Sequence, residues 1–546
     1  MGIYLNSKNP FGQFQDEATA TYFIDKSDML KELFFIGQEN SSPGKSNKYI
    51  CITRPRRFGK TIMACMIASF FGKGISSEAL FRELKISTSK DFKCHINQHN
   101  VIYISFNEVP QNCSDYLSYI ERIHKKLKND LKREFPSVEM TEDDAVWDIL
   151  SAIYETEDAR FIFVLDEWDY IFHRSFVTNN DKAAYVEFLS NLLKGKAYVE
   201  LAYMTGILPI AKYSSGSELN MFFEYTMATK EKYSEYFGFT DSEVDELYQR
   251  YLAITPVPRI TRKDLRYWYD GYQTVSGKRL YNPRSVVGAL SDNQTGSYWT
   301  SSGPYDEIFF YIEHNVDAVR DDLALMISGI PVQARIQEYA ATSMNLTTRD
   351  EIYSAMVVYG FLSYENGKVS IPNKELMDHF SKMLLKERSL GYVYRLSEAS
   401  RRMVAATKAG DTETMLEILE YARNTESPLL DYNSEIELTA VVNLVYLAAR
   451  DTYRVEREDR AGSGYVDFIF YPFDKTDDCI ILELKVDDTP ENAIQQIKRR
   501  KYALRFYGRM GDERPYTGRI LAVGIAYDKK SKKHACKIEV LDTYSV

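Results

Sequence analysis

No apolar run in this sequence approaches about 18 residues, so nothing in it reads as a membrane-spanning helix. The opening, MGIYLNSKNPFGQF, lacks the basic-then-apolar pattern of a secretory signal, and Asn6 stands where a myristoylation motif needs Ser or Thr. Cysteine is scarce. The six residues (Cys51, Cys65, Cys94, Cys113, Cys479 and Cys536) form no CxxC pair and no zinc-ligand spacing. That argues against a disulfide scaffold or a zinc module and points to a reducing, cytoplasmic compartment. Excess positive charge is also missing, because the net charge is -10. A general nucleic-acid coat is thereby excluded, so any contact with DNA or RNA has to be local or metal-assisted. The sequence shows no repeat at a period of roughly 20–50 residues and no low-complexity tract, which excludes a solenoid.

What is present suits a large globular chain. The 546 residues suggest two to four domains, and 45% hydrophobic content supplies ample core. Tyr (41) and Phe (29) are plentiful; they read first as core, and secondarily as platforms for base stacking. Over the first half, short apolar runs alternate with longer amphipathic stretches. KYICITR (48–54), NVIYISFNEV (100–109), RFIFVLDEW (160–168) and LAYMTGIL (201–208) read as strands separated by helices such as 116–135, which predicts a parallel sheet. Residues 349–376 read as helix, strand, tight NGK turn and strand, a winged-helix-like pattern or a simple packing module. After 395, helices over 397–423 and 434–450 lead into strand, strand, helix, strand, strand. The expected architecture is α/β: a P-loop NTPase domain over 1–260, a small helical or winged-helix-like lid or linker over 261–394, and a C-terminal α/β domain over 395–546.

Two constellations carry chemistry. FGKT (58–61) follows a predicted strand and opens a predicted helix, which is the context of a phosphate-binding loop. Arg57, Phe58, Gly59, Lys60 and Thr61 are its nucleotide-binding candidates, with Thr61 a Mg²⁺ ligand. In FVLDEWDY, Asp166 is placed to hold the metal and Glu167 to polarise the attacking water. Thr205 ends another apolar strand, where it could sense the γ-phosphate. Arg54 stands where such loops usually carry a first glycine, and the arginines of RPRR read either as phosphate contacts or as structural ion pairs. Further on, Asp467 lies on one predicted strand, with Glu483 and Lys485 two apart on the next and so on one face. Two carboxylates can hold Mg²⁺ or Mn²⁺, and the lysine can orient a water toward phosphorus. An ion pair between Glu483 and Lys485 is the plainer reading. Basic residues at 498–501, Arg505, Arg509 and KKSKKH (529–534) could track phosphates, or form a solvated face.

YFIDKSDMLKEL (22–33), ITRPRRFGKT (52–61), FIFVLDEWDYIF (161–172) and MTGILPIAKYSSGSELNMF (204–222) resemble the AAA-ATPase-like family found widely in bacteria. That family usually reads RPRRFGKS at its loop, so Arg54 is its habit. LRYWYDGY (265–272) and YNPRSVV (281–287) resemble its WYNGY and YNPWS signatures, with Asp270 replacing Asn and Arg284 replacing Trp. The resemblance, over most of 10–390, implies a P-loop fold, ATP and Mg²⁺. SGYVDFIFY, IILELKV and AIQQIKRRKYALRF resemble the PD-(D/E)XK nuclease superfamily over about 395–546. That resemblance implies support from Gln496, with Tyr502 and Lys501 behind it, and a further acidic residue, Glu435 or Glu437, on the preceding helix. AAA-type relatives often form rings, so a homo-oligomer is a candidate, though no arginine finger stands out. Together the readings predict an ATPase coupled to a metal-dependent nuclease acting on DNA or RNA. The alternatives are an ATP-dependent switch whose nuclease-like domain only binds nucleic acid or protein, and a plain ATPase acting on protein partners.

Overall fold

Five consecutive buried residues, Tyr49–Thr53, form β1, the short apolar run that a strand covered on both faces requires. In the computed structural model β1 lies between β4 (Val199–Gly206) and β5 (Phe223–Tyr225). β3 (Phe161–Asp166) and β2 (Asn100–Ser105) continue beyond β4, so the sheet order is β2-β3-β4-β1-β5 with every pairing parallel. The structure describes all residues except 1, 35–47, 112, 211–217, 228–229, 300–315, 337–345, 347, 385–391, 424–434, 462–463, 507–515 and 542–546.

Helices cover both faces of this sheet. α1 is Asn9–Ala18, and α2 (Lys60–Phe71) is apolar almost all round and buries Met63, Cys65, Met66, Ile67, Phe70 and Phe71. α3 (Tyr116–Glu134) is amphipathic. Its Tyr119, Ile120, Ile123, Leu127 and Leu131 recur at helical spacing and are buried, its lysines lie on other faces, and Asp115 caps it by accepting from Ser118 N–H. Each such large apolar side chain contributes about 1.5–3 kcal/mol on full burial. α4 (Val146–Glu157) and α5 (Asn179–Leu193) join α3 in the cluster on the same face. The sheet agrees with the predicted strand positions and adds β5, whose three residues make too short a run to read from sequence.

The chain separates into two compact units, Met1–Pro304 with Ala334–Lys368, and Tyr305–Gln333 with Val369–Val546. The first also holds α6 (Asp241–Ile254), α7 (Arg262–Tyr269), α8 (Pro283–Asp292) and α9 (Arg349–Tyr359). α9 ends at Gly360, with φ 87°. A hairpin of β6 (Ser363–Glu365) and β7 (Lys368–Ser370) follows, turning on Asn366 and Gly367, both with positive φ. The NGK turn is therefore where the sequence predicts it.

In the second unit, the helix expected over 397–423 is two: α10 (Tyr392–Ala409) and α11 (Thr412–Arg423), separated at Gly410, with φ 75°. α12 (Glu435–Val445) precedes a five-stranded sheet. Its order is β8 (Tyr453–Ala461), β9 (Gly464–Pro472), β10 (Cys479–Val486), β11 (Ile520–Asp528) and β12 (Lys533–Leu541). Only β10 and β11 pair in parallel, joined by a crossover containing α13 (Pro490–Arg499); the other pairs are antiparallel. The extra strand, β8, reads YRVEREDRA. Its charged alternation is that of an edge strand and carries no apolar run to announce it.

Candidate functional site

β1, β4 and β3 lie side by side, so their carboxyl ends form one rim. Thr53 pairs with Gly206, Ile52 with Thr205, and Leu165 with Met204. In a parallel sheet this rim is where ligands bind. The chain leaves β1 through Arg54, which is not among the residues of positive φ; those of the loop are Arg57 at 66° and Gly59 at 88°. No glycine is needed at 54 because the backbone there is ordinary. The Arg54 side chain turns inward and is buried. It donates to the carbonyls of Thr53 and Tyr225, each at 2.7 Å, and lies 5.2 Å from the Phe237 ring centre, which ties β5 to β1.

Gly59 is the left-handed residue from which α2 starts, so the amino end of that helix faces the rim. Lys60 is buried, and its Nζ donates to the carbonyls of Arg54 (2.9 Å) and Pro55 (2.8 Å). Burial lowers its pKa to about 8, against the pull of Asp169, Glu167 and Asp166. Asp166 is fully buried. Its Oδ1 accepts from the Thr205 hydroxyl at 2.8 Å, while its Oδ2 takes no hydrogen bond. Burial raises its pKa, opposed by Thr205, Thr61 and Lys60. Thr205 thus stands behind Asp166, itself fully buried, rather than facing the cleft. Glu167 adopts φ 52°; burial and then the Asp166 charge push its pKa up, while a bond from the Asn107 side chain pulls it down.

A cleft of about 530 Å³ opens here, lined by Arg56, Arg57, Gly59, Lys60, Thr61 and Glu167 among others. Beside it an apolar slot of about 90 Å³ is lined by Tyr22, Phe58, Ile62, Met63, Phe239 and Pro283. Phe58 therefore faces the slot, not the cleft. Sequence reasoning missed this slot and two polar neighbours of the cleft, Arg284 and Asp169. Arg284 sits at the cleft in the first turn of α8, and no hydrogen bond or ion pair is found for its side chain among the described residues. Arg56 lines the cleft as well. Asp169 accepts from the amides of Ile207 (2.9 Å) and Leu208 (2.7 Å) and so fixes the turn after β4. The third acid of LDEWD was the available signal for Asp169.

The second constellation lies on β9, β10 and α13. Asp467 Oδ2 accepts from the Leu484 amide at 2.7 Å, where β9 begins to part from β10. Glu483 is buried. Its Oε1 accepts from Lys485 Nζ at 3.2 Å and from Gln496 Nε2, while its Oε2 is buried without a hydrogen bond. Burial, and then the charge of Asp467, raises the Glu483 pKa to about 7, opposed by Lys485. Tyr502 is buried behind Gln496, whose side chain bonds to it. The structure thus gathers Asp467, Glu483, Lys485 and Gln496; Glu483 and Lys485 form the ion pair that the plainer reading expected and also stand in the candidate site. The Glu435 side chain lies outside the described residues, as do Arg509 and the Arg505 side chain. Lys498 is paired with Glu539.

Residues 10–215 match the family model described as Predicted AAA-ATPase, and residues 435–535 match that of the PD-(D/E)XK nuclease superfamily. The chain joins an AAA-ATPase-like domain to a PD-(D/E)XK nuclease-superfamily domain. No curated protein matches it significantly. Among solved structures it is similar to a Walker-type ATPase of Pyrococcus abyssi, with 12% identity over 65% of this chain and 94% of that one and a TM-score of 0.36. It is also similar to the Aeropyrum pernix ORC1 protein in complex with DNA (12%, 82% and 88%, 0.25). The Aeropyrum pernix ORC2 protein gives 12%, 70% and 96%, and 0.29. At such scores these likenesses carry no argument.

Metal fit can be judged from the donors. Among the described residues no cluster of three or more His, Cys, Asp or Glu could hold a metal ion. Four described carboxylate oxygens are buried without a hydrogen bond: Asp28 Oδ1 and Asp270 Oδ1, whose carboxylates are ion-paired to Lys31 and to Arg279, and Asp166 Oδ2 and Glu483 Oε2, one in each constellation. An unsatisfied buried carboxylate oxygen costs about 1–3 kcal/mol or more, and hard oxygen donors suit Mg²⁺ or Mn²⁺. Among the described residues no helix is long and apolar enough to cross a membrane.

Proposed function

We propose that this chain binds and hydrolyses ATP with its AAA-ATPase-like domain and cuts phosphodiester bonds in nucleic acid with its nuclease-superfamily domain, cleavage being governed by the nucleotide state. The observation that carries the reading is the pair of buried, hydrogen-bond-free carboxylate oxygens, one in each constellation. The proposed organisation keeps 1–260 as the ATPase, 261–394 as lid or linker and 395–546 as the nuclease.

In the nucleotide cleft, the loop amides and the amino end of α2 receive phosphate oxygens, with Lys60, Arg56 and Arg57 supplying charge. Lys60 exchanges its two loop carbonyls for phosphate when nucleotide enters. The neighbouring apolar slot takes the base. Thr61 and Asp166 would hold Mg²⁺, with Thr205 fixing the Asp166 carboxylate. Glu167, kept more basic than an ordinary carboxylate by burial, orients the attacking water.

In the nuclease domain, Asp467 and Glu483 would hold Mg²⁺ or Mn²⁺, which when bound lowers the pKa of water and neutralises charge on the scissile phosphate. Gln496 and Lys485 fix the Glu483 carboxylate, and the Leu484 amide fixes that of Asp467. Lys485 donates to the phosphate or to the attacking water. The test is cleavage of labelled plasmid, single-stranded DNA and RNA with Mg²⁺ or Mn²⁺, with and without ATP. We expect cleavage that a Glu483→Ala/Lys485→Ala variant loses. Cleavage that survives in that variant, or its absence on every substrate, refutes the nuclease assignment.

A further inference from the structure

The outer side of the phosphate loop is held by residues from far along the chain. The Arg56 carbonyl accepts from Trp299 Nε1 at 3.1 Å and Asn282 Nδ2 at 3.5 Å. The Phe58 carbonyl accepts from the Gly238 amide at 3.2 Å. The Phe58 ring meets Tyr272 edge-on at 5.1 Å, and the Tyr272 hydroxyl donates to the Gly360 carbonyl at 2.7 Å. Gly360 closes α9 in the left-handed region, and a Cβ there would sit 2.6 Å from Pro55 Cβ. The Trp299 ring packs 5.5 Å from Phe361.

A trans peptide points its C=O and its N–H in opposite directions. Anchoring the Arg56 carbonyl on Trp299 therefore turns the Arg57 N–H the other way, and anchoring the Phe58 carbonyl does the same for Gly59. Arg57 and Gly59 both line the cleft. We propose that Trp299 and the turn Tyr359–Gly360–Phe361 form a positioning brace. It aims the amides of a loop that lacks its first glycine, and it makes α9 respond to the nucleotide. The coupling is reciprocal, so whatever shifts this turn changes ATP affinity by the factor with which ATP shifts the turn. The inference rests on the ATP reading above.

The test compares wild type with Trp299→Phe, which keeps the ring against Phe361 but removes the N–H, and with Gly360→Ala. ATP affinity, KM, kcat, thermal melting and amide exchange are measured on the full chain. Trp299→Phe should weaken ATP binding and raise KM ~5-fold, as loss of one hydrogen bond implies, with kcat and melting little changed. Gly360→Ala should weaken binding more, because Pro55 must move. ATP should slow amide exchange over 356–362 in wild type, and less so in Trp299→Phe. If wild type binds ATP and both variants bind it equally well, the turn is packing alone and the brace is wrong. If wild type binds no ATP, the nucleotide reading itself falls and takes the brace with it.

Discussion

Lys60 and Glu167 divide the work of the proposed ATPase between binding and turnover, and single substitutions separate the two. Lys60→Ala removes a buried ammonium, so ATP affinity measured by calorimetry should fall about 10- to 100-fold, the worth of a charged hydrogen bond. Glu167→Gln keeps shape and hydrogen bonding but not basicity. ATP should still bind it, and steady-state hydrolysis should slow by about 10²-fold or more. Unchanged turnover would remove Glu167 from the mechanism. A pH effect belongs to a different residue. His95 Nδ1 lies 3.0 Å from His99 Nε2, and burial, then His99, lowers the His95 pKa. A depressed histidine contributes stability above its ordinary value near ~6.5 and loses it as pH falls through the folded value. Melting temperature should therefore drop on acidification below about pH 6.5, and His95→Asn should flatten that limb. An identical acid limb in the variant would contradict this.

At the scale of elements, α13 depends on a glycine in the strand beneath it. Gly524 on β11 pairs in register with Glu483 on β10. A Cβ at 524 would lie 2.4 Å from the Pro490 carbonyl and 3.0 Å from Ala493 Cβ. Gly524→Ala should push α13 away from the sheet, at a cost of about 1–3 kcal/mol, and take Gln496 off Glu483. Chemical denaturation would register the cost, and any nuclease activity should fall further than stability does. Elements also show what the sequence could disclose. Buried parallel strands declare themselves as apolar runs, which made β1 to β4 and the ends carrying Asp166 and Thr205 legible. β8 and β5 were not, because the edge strand is charged and the other is three residues long. Spacing by two placed Glu483 and Lys485 together. Nothing local in the sequence could reveal that Arg54 points inward to the Tyr225 carbonyl, or that Thr205 backs Asp166, since those contacts span the fold. Asp270, which differs from the Asn of the resembled signature, is ion-paired with Arg279 and Arg266.

Over the whole molecule, two separate carboxylate constellations share one feature, a buried oxygen left without a hydrogen bond. Asp166 is steadied by Thr205, and Glu483 by Lys485 and Gln496, so in each case one oxygen is fixed and the other is free for a cation. If the proposed cations bind there, both domains gain stability from a divalent ion, because binding to the folded state alone stabilises it. The most direct measurement is calorimetric titration of Mn²⁺ into the wild type, Asp166→Asn and Glu483→Gln, each with and without a non-hydrolysable ATP analogue. The account predicts one site that needs no nucleotide and is lost only in Glu483→Gln, and a second that appears with the analogue and is lost only in Asp166→Asn. Mn²⁺ binding that neither substitution changes would contradict it.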